Sequence, residues 1–514
     1  MEMRLLKESV QLEQPTGSGR SQAMVEGELT LPGGLREEAR VLQAGGMAAV
    51  DTVEATQDHL TVTGRVVFHV LYTQGDPEKI SAMEATADFT HLMELPGAQP
   101  RGACQAEATV EHVEATAYSG RLALKATVAV CGRALSRQPV EALTGVTGVP
   151  GVQLRTRELT AKRTVAAGNG ETLLREEFAL PEGLRVRETL YAVAQPQLSG
   201  VSGGMSRAGV TGSVQLEAYH ASDLPGKPLV VTRHVIPFEH AVELSGEDGD
   251  ALSAALTVRD VAVASQETAD GERVLRAEIV LGVSAWADRQ ETVTLLDDAY
   301  TVTGDDLKLT VQPVCCRVDD RRAQAAESGK ALLMLPEGSP AVRGVLCAFA
   351  SPVMTGREQV GGRLTVEGMM EVTLLYMTDD SAVPVVVRQE EPFRITFAAE
   401  SGEEDFITLT VSDVDVSAIT SDRVEMKYIL HLSVNGVATE QARLVVDAAA
   451  VSAPAASGGI VLYFVQPGET LWDIARRYRV PTEELRSLNP ELTGDPDVGQ
   501  GVVVWHRCRE ELCS

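Results

Sequence analysis

Along most of the chain, apolar and polar residues alternate with a period of two. Val214, Leu216 and Ala218 interleave with Ser213, Gln215 and Glu217, which puts one set of side chains on a core face and the other toward water. Met370, Val372, Leu374 and Tyr376 repeat the pattern, and Val424, Met426, Tyr428, Leu430, Leu432 and Val434 hold it without a break. Three pairs of such runs, 108–117 with 122–130, 256–264 with 274–283 and 407–416 with 424–434, are predicted hairpins. Short segments such as Ala269-Asp270-Gly271-Glu272 and Thr420-Ser421-Asp422 would turn the chain between them. Alternation with a polar outer face favours antiparallel sandwiches or open barrels over a parallel sheet. No long amphipathic helix interrupts these runs.

The alternating runs recur in a fixed order. Leu31-Pro32-Gly33-Gly34-Leu35 returns as Leu180-Pro181-Glu182-Gly183-Leu184 and as Leu335-Pro336-Glu337-Gly338-Ser339. Each is followed by a second anchor, Val62-Thr63-Gly64, Val210-Thr211-Gly212 or Val366-Glu367-Gly368, and then by a phenylalanine, Phe89, Phe238 or Phe393. Three landmarks in constant order, with a period of about 150 residues, predict three copies of one β domain, at 1–149, 150–304 and 305–446. The less regular stretches 152–178 and 309–333 are expected to give the following copy a leading strand and an adaptable loop. Small residues at 447–459 read as a linker, and 507–514 as a tail.

Composition narrows the function. At 514 residues the chain is long enough for several cores. Acidic residues outnumber basic ones 73 to 45, a net charge of −28, and aromatic residues are only 4%. That balance argues against nucleic acid and anionic lipid, which need basic surfaces, and leaves few stacking platforms. No run reaches the ~20 apolar residues of a membrane span. The first residues have no signal-peptide character, so a soluble intracellular protein is expected. The seven cysteines include the adjacent pair Cys315-Cys316 and no CxxC, and read as small apolar side chains rather than disulfides or zinc ligands; Cys508 and Cys513 are expected to be the most exposed.

Catalytic signatures are weak. The nine histidines form no metal-ligand spacing. His234, Glu239 and His240 come nearest to a cluster, yet the other copies lack most of it, which favours packing. Gly200-Val201-Ser202-Gly203-Gly204 has the letters of a nucleophile elbow, but that motif needs a strand-to-helix turn and this segment reads as a loop before an alternating strand. No cofactor, metal site or enzyme activity is expected.

From Ile460 the pattern changes. Val461, Tyr463 and Val465 predict a short strand. Thr470 and Asp473 form a capping-box pair before a helix with Leu471, Ile474, Ala475 and Tyr478 on one face. A second helix begins at Thr482, with Leu485 and Leu488 inward, and stops at Asn489-Pro490; Val502–Val504 form a closing strand. The ordered set Tyr463, Val465, Gly468-Glu469-Thr470-Leu471, Ile474-Ala475, Tyr478, Val480, Leu485, Leu488 and Asn489-Pro490 resembles the LysM family over its whole length, 460–506. Glu469 stands where the family usually has Asp. The resemblance implies a βααβ fold and a shallow groove for the N-acetylglucosamine backbone of peptidoglycan or chitin. Gly468, Glu469, Thr470 and Leu471 would line it, facing Asn489, Pro490 and Leu492. An uncharged glycan needs backbone amides and a few apolar surfaces rather than a strong field. Tyr463–Trp505 holds seven acids and four arginines, which disfavours polyanionic wall polymers.

Three long β repeats followed by one such module are similar to the spore-coat morphogenetic proteins of the SipL and SpoVID kind, whose repeat is the SPOCS domain, formerly DUF3794. The Leu-Pro-Glu-Gly and Val-x-Gly anchors carry that likeness. It implies a non-enzymatic scaffold in the mother-cell cytoplasm at the forespore surface. Its β repeats would mediate protein assembly, and its LysM module would dock on peptidoglycan or on a coat protein such as the coat ATPase SpoIVA. The alternative is an exported peptidoglycan-binding envelope protein whose repeats are spacers.

Overall fold

The computed structural model describes residues 3–30, 40–74, 76–100, 102–118, 121–180, 183–204, 206–267, 273–381, 383–452 and 459–506. The first Leu-Pro anchor, Pro181 and Glu182 of the second, the predicted turn at 269–272, residues 453–458 of the predicted linker, and Cys508 and Cys513 lie outside the described residues.

The alternating runs are strands of antiparallel sheets, as the period of two requires. The first block comprises β1 (Arg4–Thr30), β2 (Arg40–Thr56), β3 (His59–Gln74), β4 (Asp76–Glu94), β5 (Ala103–Tyr118) and β6 (Arg121–Thr147). They form two sheets, ordered β1-β6-β5 and β2-β3-β4. The second block comprises β7 (Val152–Ala179), β8 (Val186–Gly204), β9 (Arg207–Leu224), β10 (Lys227–Glu243), the two-residue β11 (Ser245–Gly246), β12 (Ala251–Glu267) and β13 (Arg273–Thr301). The third comprises β14 (Asp306–Met334), β15 (Gly344–Val360), β16 (Arg363–Met377), β17 (Val385–Phe397), β18 (Phe406–Thr420) and β19 (Arg423–Val451). Apart from the added β11, both repeat the first arrangement: β7-β13-β12 with β8-β9-β10, and β14-β19-β18 with β15-β16-β17. The three predicted hairpins are β5–β6, β12–β13 and β18–β19.

The sequence anchors have a packing reason. Val62, Val210 and Val366 are fully buried in the three sandwich cores. Two residues on, each glycine pairs across the sheet with the anchor phenylalanine: Gly64 with Phe89, Gly212 with Phe238 and Gly368 with Phe393. A Cβ on any of the three would stand within 3 Å of that ring and within 2.3 Å of a carbonyl oxygen on the other neighbouring strand. The ring therefore lies on bare backbone, which only glycine permits.

Several expectations change. The adaptable loops expected within 152–178 and 309–333 are instead the continuous strands β7 and β14, accommodated by β-bulges. Gly200–Gly204 is not a loop but the paired end of β8. Asp447–Val451, expected in the linker, pair with Asp306–Thr310 as the last residues of β19. Each change has one cause: small and polar residues weaken the alternating signal without preventing backbone pairing to a partner far away in sequence.

The strands β1, β6, β7, β13, β14 and β19 run 27 to 29 residues, several times the usual ~5–6. One end of each belongs to its own sandwich, and the other leaves it as half of a two-stranded ribbon. The three ribbons pack on one another. Val10, Leu159 and Val314, each 21 residues before its Leu-Pro leucine, are buried together, as are Leu12, Ala161 and Cys316, each 19 before. A second shared cluster joins the other sheets through Leu71, Tyr219 and Leu375, each nine residues after its anchor valine. The blocks are thus not beads on a string but three copies of one arrangement closed around a common hub.

The hub is equivalent in position but not in charge. Eighteen residues before the three Leu-Pro leucines stand Glu13, Lys162 and Arg317. Arg317, 4% exposed, donates to Glu13, to Asp288 at 2.8 Å, to Asp320 at 2.8 and 2.9 Å, and to Thr164 at 3.0 Å. Lys162 lies 3.8 Å from Asp288 and 3.5 Å from Asp320, and Arg137 reaches Glu13 at 2.7 Å. Burial opposes the Arg317 charge, but Asp320, Asp288 and Glu13 outweigh it and hold the proton more firmly than usual. One buried cluster thus joins all three blocks, and breaking such a cluster by removing one member costs about 3–5 kcal/mol.

Candidate functional site

The C-terminal unit comprises β20 (Gly459–Phe464), α1 (Leu471–Tyr478), α2 (Thr482–Leu488) and β21 (Gly501–His506), with β20 and β21 antiparallel. Thr470 caps α1 in a full capping box: its hydroxyl accepts from the Asp473 amide, and the Asp473 carboxylate accepts from the Thr470 amide at 2.8 Å. Leu471, Ile474 and Ala475 face a core shared with Leu485, Val502 and Val504. Leu488, expected inward, is 37% exposed, because α2 is only seven residues long and ends there.

The two segments predicted to line a groove are brought together. The Leu471 amide donates to Asp495 Oδ1 at 2.9 Å, which links the start of α1 to the loop after α2. Gly468, at φ 81°, and Pro490 are exposed, and the space beside the Gly468 Cα is open. Thr470 and Leu492 are half-buried, as is Glu469. The Glu469 carboxylate accepts from the Tyr463 hydroxyl at 2.6 Å, the Gln466 amide at 3.0 Å and Arg477. Those hydrogen bonds, with the Arg477 charge beside them, hold it below its ordinary pKa.

Leu471 and Asn489 are buried, at 1% and 0% exposed. The Asn489 side chain donates to the Leu485 and Val503 carbonyls, both at 2.8 Å, and accepts from the Val503 amide at 2.7 Å. It ties the end of α2 to β21, so its side chain holds the groove wall rather than facing a ligand.

A second surface was not anticipated from the sequence. The outward side of α1 lies on the second block. Asp298, 6% exposed, accepts from Trp472 Nε1 at 2.8 Å and from Arg476 Nη1 at 2.5 and 2.7 Å. Tyr300, fully buried, donates its hydroxyl to the Val480 carbonyl at 2.7 Å and meets the Trp472 ring edge-on, while Arg155 stacks over that ring. Arg479 donates to the Thr301 carbonyl and hydroxyl and to the Gly304 carbonyl. Trp472 and Arg476, four residues apart on α1, and Arg479 just past its end lie on one side, about a third of a turn from the inward face; that stripe was the available signal.

Residues 463–505 match the LysM domain family, and residues 39–117 match the SipL, SPOCS domain family, within the first block. The chain carries a SipL-type SPOCS domain and a LysM domain. Both are non-catalytic binding domains, and together they mark a sporulation-related protein with a peptidoglycan-binding module. No curated protein and no solved structure matches the chain.

Other candidate chemistry is placed as follows. His234 stacks on Phe178 with ring centroids 3.9 Å apart, and His91 bonds Ser21 at 2.8 Å. Among the described residues no group of three His, Cys, Asp or Glu side chains is placed to hold a metal, and no helix is long and apolar enough to cross a membrane.

Proposed function

We propose that the protein is a scaffold of the spore envelope that engages the N-acetylglucosamine backbone of peptidoglycan through its LysM groove. The observation that carries this reading is the seating of the LysM domain. Its helical side is fixed to the β body by Asp298, Tyr300 and Thr301, while Gly468 and Pro490 on the groove side stay exposed. Such an arrangement offers a glycan site and the outer β surfaces in one fixed geometry, which suits an adaptor between a wall polymer and a protein layer. The three β blocks give coat proteins several docking surfaces on one chain, which raises avidity. Action in the mother cell at the forespore surface belongs to the same proposal.

The test is co-sedimentation of the full chain with insoluble peptidoglycan, with a soluble N-acetylglucosamine oligomer as competitor. Pelleting that the oligomer abolishes supports the groove. Absence of pelleting turns the LysM domain toward a protein partner, and the full chain is then tested against the coat ATPase SpoIVA.

A further inference from the structure

The cleft between the LysM loops is bridged by a carboxylate. Asp495 comes from the wall after α2, is exposed, and accepts the Leu471 amide of the opposite wall. The two anions on the facing wall are differently placed. Glu469 is neutralised by Arg477, and the Asp473 carboxylate is occupied by the amide and hydroxyl of Thr470. Three of the domain's four arginines are committed elsewhere, Arg476 to Asp298, Arg479 to Thr301 and Gly304, and Arg477 to Glu469, while the fourth, Arg486, stands exposed on α2. Among the described residues Asp495 forms no ion pair, so apart from the Leu471 amide at the start of α1 its negative charge faces the cleft, in a chain whose net charge is already −28.

We propose that Asp495 sets the charge selectivity of the groove, favouring uncharged N-acetylated sugars over glycan strands whose sugars carry free carboxylates. This rests on the glycan reading above. A bound neutral sugar meets a hydrogen-bond acceptor at Asp495, whereas a sugar carboxylate meets a like charge at close range. In a water-exposed cleft a pair of unit charges ~6 Å apart changes affinity by about threefold, and salt reduces the effect.

The experiment measures binding of the full chain to two probes of equal length by calorimetry. One is an N-acetylglucosamine oligomer; the other is a glycan strand with muramic acid carboxylates and no peptide. The readout is the affinity ratio, neutral over acidic. Asp495→Asn keeps an oxygen to accept the Leu471 amide and removes only the charge; Glu483→Gln removes an equal charge from an exposed position on α2. The expected result is a ratio above one that falls about threefold in D495N and not in E483Q, with the difference shrinking as salt rises. The proposal is overturned if D495N leaves the ratio unchanged, if both variants lower it equally, or if D495N loses both glycans, which would make Asp495 a structural clamp only. Failure of the unmodified chain to bind either probe overturns the glycan reading itself and this proposal with it.

Discussion

Replacing Asp298 by alanine should release the LysM domain from the β body without unfolding either. Asp298 lies at 6% exposure and is the common acceptor for Trp472 and Arg476. A hydrogen bond to a charged group is worth about 1.5–3 kcal/mol. Arg476 is 42% exposed and regains water on release, which lowers its share, so a net loss of about 2 kcal/mol is reasonable, with the Trp472 indole N–H left unpaired. Because docking is intramolecular, that loss lowers the docked-to-free ratio roughly thirty-fold. The assay is hydrogen exchange of the amides in α1 and at 298–304, together with the rate of proteolytic cleavage between β19 and β20. D298A should raise both, while the thermal transition of the β body stays in place. Trp472→Phe, which keeps a ring against Tyr300 but has no N–H, should give a smaller rise. The reasoning is refuted if exchange and cleavage in D298A equal those of the unmodified chain, since the domain would then be held by Tyr300 and Arg479 alone.

Arg317→Met should lower stability by about 3–5 kcal/mol, because it leaves buried Glu13 and Asp288 with only Arg137 and the more distant Lys162 beside them. Urea unfolding followed by tryptophan fluorescence in a W472F/W505F background, which leaves Trp286 beneath Arg322, would report it; an unchanged midpoint would mean that the apolar hub suffices. Gly212→Ala should cost about 1–3 kcal/mol, since the added methyl would stand 2.3 Å from the Gln197 carbonyl and 2.8 Å from the Phe238 ring. Gly45→Ala, where a Cβ meets nothing within 4 Å, should be neutral, and equal thermal midpoints for the two variants would contradict the packing argument. His220 is fully buried between Thr189 and Thr232, and burial, with the charge of His234, lowers its pKa to about 4. The unfolded chain then binds the proton more readily between pH 6.5 and about 4, so stability falls as pH falls through that window, by about 3 kcal/mol in full. His220→Gln should flatten that part of the pH–stability curve; a curve of unchanged slope would show that other groups govern it.

Local chemistry made much of this protein legible before its structure. A period of two fixes which side chains share a face, so the strands and their hairpins could be read where alternation was unbroken, as from Val424 to Val434. The Val-x-Gly and Phe landmarks were visible as a repeat because one tight contact, ring against bare backbone, constrains both positions in each block. The LysM domain was legible because its capping box, turn glycine and inward helix face all lie within one short span.

What the tertiary structure decided are the meetings of distant faces. Nothing local marks Glu13, Lys162 and Arg317 as neighbours; they meet because each long strand leaves its sandwich and the three ribbons close on one axis, where unlike charges can be buried only as a set. Asn489 looked available to a ligand in sequence, but folding places it where two carbonyls and an amide of its own chain use its polar atoms. Asp298 and Trp472 stand 174 residues apart, and only packing turns that carboxylate and that indole into the contact that orients the LysM domain. Alternation and capping act within a few residues, whereas the pairing of faces depends on which surfaces can exclude water together, and that is settled only by the whole fold.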